Sequence, residues 1–232
     1  MIKRIATRTF CAAAAIGWSL SAGFSTPTVR AQTNSAPSKW EAEIRAFEAA
    51  DRTNPPPRNA IVFAGSSSIR LWKTLAQDFP EYKVINRGFG GSQIADSVDV
   101  AERLILPCHP RMVVLYAGDN DIAAGKPPEQ VAGDFTAFVR KIQAASPRAR
   151  IAFLSIKPSP ARWQFIEKIK AANQRIEALC RQEERLIFID VFNPMLGGDG
   201  KPRAELFAED KLHLNPAGYS LWTELIKPRL KE

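Results

Sequence analysis

From residue 60 onward the apolar residues fall in five short runs, and between the runs they recur every three or four positions. The runs are "AIVFAG" (60–65), "YKVINRG" (82–88), "RMVVLYAG" (111–118), "RIAFLSI" (150–156) and "LIFIDV" (186–191). Each is rich in β-branched or aromatic residues and mostly apolar on both faces, which predicts strands covered on both sides. The periodic stretches predict helices over 71–79, 94–106, 128–145, 162–181 and 216–230. Pro128 and Pro216 open two of them, at positions where the first helical turn tolerates a residue without an N–H. Strand–helix alternation repeated five times predicts an α/β fold with a parallel sheet between helices. Ahead of it, "SKWEAEIRAFEAADR" reads as another helix, broken by "NPPPRN". Residues 32–59 are thus expected as an N-terminal helix and Pro-rich linker, and 60–232 as one domain. The length of 232 residues and the 45% hydrophobic content fit one sizeable core.

The first thirty-one residues have a different layout. Lys3, Arg4 and Arg8 precede the uncharged run "FCAAAAIGWSL", and small and polar residues follow up to "TVRA". This is the order of a signal peptide cleaved after Ala31, and it predicts an exported protein, periplasmic or secreted. The apolar run is shorter than the roughly 20 residues a membrane span needs, so stable insertion is not expected. Cys11 lacks the small residues that precede a lipidated cysteine and belongs to the removed segment. Cleavage would take away Lys3, Arg4, Arg8 and Arg30 and no acid, lowering the formal charge from +8 to +4. No basic run interleaved with aromatics remains, which argues against a nucleic-acid partner. Cys108 and Cys180 would be left, with no Cys-x-x-Cys pair, and are expected as two buried free thiols.

Parallel sheets of this kind bind ligands outside the carboxyl ends of their strands. The first strand exits into "GSSS", the second into "NRGFGGS" and the third into "GDND", and "DKLH" lies between the fifth strand and the last helix. Taken singly, each block also fits an ordinary turn or cap. Histidine narrows the choice, because it is the usual base for a serine hydroxyl near neutral pH and the chain has two. His109 precedes the third strand, on the wrong edge, and reads as structural. His213 is on the right edge, with Asp210 three residues earlier, about one turn, where a carboxylate can bond the imidazole. One of Ser66, Ser67 and Ser68 would then be the nucleophile; the local text leaves open which.

An oxyanion needs rigid neutral donors. Gly91 could offer an unobstructed backbone N–H and Asn120 a side-chain amide, whereas Asp119 and Asp121, poor neighbours for an oxyanion, are expected to shape their loop. A metal-dependent phosphoesterase using Asp119, Asp121, Asp210 and His213 is an alternative, weakened by the single usable histidine. A carbohydrate-binding relative that has lost activity is another.

The four blocks resemble those of the SGNH hydrolases, also called the GDSL family of lipases and esterases, and in particular relatives of the platelet-activating factor acetylhydrolase catalytic subunits. The likeness runs from about residue 60 to the end. It implies a flavodoxin-like, three-layer α/β/α fold with a doubly wound five-stranded parallel sheet, an acyl-enzyme mechanism and no cofactor. It also implies that Ser67 is the nucleophile, with Ser66 where the family has aspartate and Ser92 where it often has another. By the same likeness Asp210 and His213 complete the triad, and the N–H groups of Ser67 and Gly91 join the Asn120 amide in the oxyanion hole. The expected substrate is a small-molecule or carbohydrate ester.

Overall fold

The computed structural model describes residues 39–231; the expected signal segment lies outside them. Five strands, β1 (Ile61–Gly65), β2 (Val84–Gly88), β3 (Met112–Tyr116), β4 (Arg150–Leu154) and β5 (Leu186–Ile189), pair in parallel in the order β2-β1-β3-β4-β5. The chain leaves β1 toward one sheet edge, to β2, and from β3 onward runs to the other, so the winding reverses between β1 and β3. A crevice opens at such a reversal, outside the strands' carboxyl ends.

Side chains alternate across the strands, so each strand contributes to two cores. Val62, Ala64, Val113 and Leu115 face α1 (Glu41–Thr53), α4 (Ile94–Asp99), α5 (Ala101–Leu104), α7 (Pro128–Ala145) and α8 (Ile166–Cys180). Ile61, Phe63, Val114 and Tyr116 face α2 (Ser67–Arg70), α3 (Leu75–Asp78) and α9 (Pro216–Ile226). A short helix, α6 (Asp119–Ala123), follows β3 directly. The protein is therefore the α/β, three-layer fold expected of its sequence pattern.

The differences from the expected elements have local causes. Of the helix expected over 71–79 only α3 is helical; α2 has already ended at Arg70, and the chain turns between the two and sends Trp72 inward. Its ring lies 5.8 Å from that of Phe63 and 5.0 Å from that of Tyr219, and its Nε1 donates to Asp78 at 2.6 Å. The expected helix over 94–106 breaks between α4 and α5, and a 3-10 turn carries Leu106–Cys108. The helix expected from Arg162 begins only at Ile166, since Pro160–Phe165 forms 3-10 turns with Arg162 outside helical geometry. The last helix changes to 3-10 at Lys227–Leu230, where Pro228 has no N–H to continue it.

α1 packs against the sheet layers. Ile44 is buried, and Arg103 of α5 clasps Glu41 at 2.8 Å and Glu48 at 2.6 Å. Arg87 on β2 donates to both Asp51 oxygens, at 2.5 and 2.7 Å. At the start of α1 the Trp40 indole donates to the Gly90 carbonyl at 2.7 Å, which ties this helix to the loop after β2. Cys108 and Cys180 are free and buried. No helix among the described residues is long and apolar enough to cross a membrane.

Candidate active site

The turn from β1 into α2 positions the serines. Gly65 has φ +123°, and a Cβ there would lie 1.9 Å from the Tyr116 carbonyl oxygen, so only glycine lets the strand end this close to β3. The Ser66 N–H donates to that carbonyl at 2.9 Å, and α2 begins at Ser67. The three hydroxyls then diverge. Ser66 stands at the N-cap of α2, but its Oγ is buried without a hydrogen bond and caps nothing. Ser68 Oγ accepts from the buried Lys157 Nζ at 3.3 Å. Ser67 Oγ alone faces the histidine, 2.9 Å from His213 Nε2.

His213 and Asp210 come from one turn. Asp210 Oδ1 accepts the N–H groups of Leu212 and His213, both at 2.9 Å, and Oδ2 lies 2.5 Å from His213 Nδ1. These bonds, the imidazole's first and the backbone's next, lower the Asp210 pKa to about 2. An ionised carboxylate can only accept, so Nδ1 carries the ring proton and the Nε2 lone pair faces the serine hydroxyl. The turn is braced from two sides. Ala208 N–H donates to the His213 carbonyl at 2.8 Å, and Ala161 N–H, from the segment after β4, donates to the Lys211 carbonyl at 3.1 Å.

Gly91 and Asn120 flank Ser67 in a cleft of about 610 Å³. The N–H groups of Ser67 and Gly91 have no acceptor among the described residues. Gly91 has φ +71° with open space where a Cβ would stand, so its backbone conformation, rather than crowding, calls for glycine. Asn120 Nδ2 donates to the Ser92 carbonyl at 2.9 Å, and Oδ1 accepts from Arg162 Nη2 at 2.8 Å. Both bonds together fix which way the amide points and leave the second Nδ2 proton for the cleft.

Beneath this lies a buried ionic cluster. Asp119 Oδ2 is 3.3 Å from Lys157 Nζ and 3.2 Å from Arg162 Nη1, and Lys157 also donates to the Tyr116 hydroxyl at 3.0 Å. Burial opposes the charge of Asp119, but the ammonium of Lys157 and then the guanidinium of Arg162 outweigh it and hold the carboxyl below its usual range. Burial also pushes the Tyr116 hydroxyl well up, reinforced by Asp119. Asp121 is buried as well, accepting from Ile94 N–H at 3.3 Å and Lys126 Nζ at 3.1 Å. Asp119 and Asp121 thus shape the loop. Among the described residues no group of three or more His, Cys, Asp or Glu is arranged to hold a metal ion, and these carboxylates are already bound to cations, so the donor set does not fit the phosphoesterase alternative. His109 stands at the opposite, amino end of β3, exposed.

The family model described as GDSL-like Lipase/Acylhydrolase matches residues 15–221. The chain belongs to that family. Membership carries a hydrolase function of the acylhydrolase or esterase type. No curated protein sequence matches this chain. Among solved structures it is similar to a GDSL-like lipase from Bacteroides thetaiotaomicron, at 22% identity and a TM-score of 0.72, covering 82% of this chain and 98% of that one. It is also similar to a protein from Streptococcus pneumoniae provisionally described as a platelet activating factor, at 23% identity and a TM-score of 0.74, covering 82% and 92%. At such identities the likeness shows the fold.

The cleft also holds side chains that the sequence reading did not single out, among them Arg70, Arg162, Lys39, Trp40 and Glu43. Lys157 was missed beneath them. Lys157 and Arg162 follow β4 in "SIKPSPARW", so the rule that drew attention to the exits of the other strands, applied to β4, would have found both.

Proposed function

We propose that this protein is an exported serine esterase that cleaves acyl esters through a covalent acyl-enzyme. The observation that carries the reading is the unbroken hydrogen-bonded chain from Ser67 Oγ through the His213 ring to Asp210, at 2.9 and 2.5 Å. Ser67 Oγ attacks the ester carbonyl carbon as its proton passes to His213 Nε2. The imidazolium that forms is stabilised by ionised Asp210, and the oxyanion by the N–H groups of Ser67 and Gly91 and the amide of Asn120. Collapse breaks the ester C–O bond, and Nε2 returns the proton to the departing alkoxide. Water then attacks the acyl-enzyme, gives its proton to Nε2 and releases the acid, and Nε2 restores the proton to Ser67.

The order of basic, apolar and small residues before Gln32 supports export, and the resemblance of the four motif blocks supports a kinship with the platelet-activating factor acetylhydrolase-like members. A small-molecule or carbohydrate ester is the expected partner. The reading is tested with a fluorophosphonate probe and peptide mapping. Wild-type protein should carry the adduct on Ser67, Ser66→Ala and Ser68→Ala should keep it there, and Ser67→Ala should lose both labelling and hydrolysis of 4-nitrophenyl acetate. An adduct on Ser66 or Ser68 would place the nucleophile wrongly, and an unlabelled wild type would favour a binding protein that has kept only the fold.

A further inference from the structure

The cleft contains a guanidinium that makes no hydrogen bond or ion pair among the described residues. Arg70 ends α2, three residues after Ser67, so both side chains project from the same side of one short helix. Its Nε is buried and has no hydrogen-bond partner, and no ion pair reaches Arg70 among the described residues. Other arginines at the buried faces of the fold have carboxylates: Arg87 has Asp51, Arg103 has Glu41 and Glu48, and Arg162, whose Nη1 also lacks a hydrogen bond, still has Asp119 at 3.2 Å and bonds Asn120 through Nη2. A buried donor left over in this way calls for a ligand.

The berth is specific. The guanidinium lies against the bare face of Gly90, where a Cβ would come within 2.8 Å of Nε and 3.2 Å of Nη2. This sets it beside Gly91, at the loop that faces the Ser67 hydroxyl. The surroundings are basic. Lys39 lines the same cleft, and Asp119 is shared by Lys157 and Arg162, so that cluster keeps one positive charge in excess. Glu43, on α1, is the one acidic residue among the described residues that line the cleft. A planar, permanently charged fork with a free donor matches the oxygens of a carboxylate or phosphate.

We propose that Arg70 makes the cleft selective for esters that carry a negatively charged group, carboxylate or phosphate, beside the scissile bond. The inference rests on the esterase reading above and names its substrate class. Three acetate esters of matched skeleton test it: methyl 4-acetoxybenzoate, 4-acetoxybenzoate and 4-acetoxyphenyl phosphate, each rate normalised to its uncatalysed hydrolysis. Wild-type kcat/KM should favour the charged esters by about tenfold or more, through KM, and the better of the two identifies the anion. Raising the ionic strength from roughly 0.05 to 0.5 M should raise KM for the charged esters alone, a readout that needs no variant. Arg70→Gln should bring the charged-to-neutral ratio down by about tenfold, and Arg70→Lys should restore part of it. A wild-type ratio near unity, or a ratio untouched by Arg70→Gln, overturns the proposal. If Ser67 still takes the fluorophosphonate, only the selectivity has failed; if labelling and turnover of all three esters are absent, the esterase reading has failed with it.

Discussion

Two aspartates stand at the carboxyl edge of the sheet, and both are held ionised, by opposite means. Asp210 is about half exposed, and its pKa falls to about 2 because the His213 ring and two backbone N–H groups bond its oxygens. Asp119 is buried, and it stays charged against desolvation only because Lys157 and Arg162 lie within 3.3 Å. An exposed carboxylate needs little help to remain charged, so its bonds set direction: they turn the imidazole toward Ser67. A buried one needs compensating charge, so its partners set stability, and they seat Asn120 as a consequence. The comparison predicts that the two residues fail in different currencies, Asp210 in rate and Asp119 in folding.

The sharpest way to break the comparison is Asp210→Asn. The amide can offer an N–H where the carboxylate accepts one, which favours the wrong imidazole tautomer, and kcat should fall by about 10⁴. Thermal stability should barely change, since the side chain is 49% exposed. Steady-state rates on 4-nitrophenyl acetate beside a melting curve decide it. A kcat within tenfold of wild type would mean that Asp210 does not orient the base.

The converse variant is Lys157→Met. It leaves Asp119 buried with one cation fewer, at a cost of about 3–5 kcal/mol in urea unfolding. Adding Asp119→Asn should recover most of that loss, because the uncompensated charge goes too. A double variant no more stable than the single one would show that Lys157 contributes packing rather than charge, and the contrast with Asp210 would collapse.

The same contrast explains what could be read from the sequence. Asp210 and His213 are three residues apart, so their partnership is local and visible as text. Asp119 and Lys157 are 38 residues apart, and they meet only because β3 and β4 are neighbours whose exits share one edge. The sheet was legible because β-branched runs and helical periods alternate, yet its strand ends were overshot. The run 111–118 carries no charged side chain after Arg111, but the ladder stops at Tyr116 and the next residues turn into α6. The helix over 71–79 failed for a tertiary reason, the inward turn of Trp72, that no local period encodes. Arg70 was invisible as a site residue because what marks it is tertiary: only the fold sets its guanidinium against Gly90 and leaves its Nε buried without a partner.

The smallest effect lies in the pH dependence of stability, and it separates the two ways of holding a charge. The folded pKa of Asp210, about 2, lies below the roughly 3.9 of an unfolded aspartate. Its bonds therefore contribute stability that is fully present above the unfolded value and is lost as pH falls toward the folded one. The sign follows from proton binding: between those values the unfolded chain holds more of this proton than the folded one, so stability rises with pH there. The stability difference between wild type and Asp210→Asn should stay level from about pH 8 to 5 and shrink between about pH 4 and 2. Because the side chain is half exposed, that change should be small and should shrink further in high salt. The Asp210 carboxyl, followed by NMR, should titrate near 2 in the folded protein. A midpoint at the unfolded value, or a stability difference unmoved across the acid range, would remove Asp210 from the hydrogen-bonded chain that the imidazole depends on.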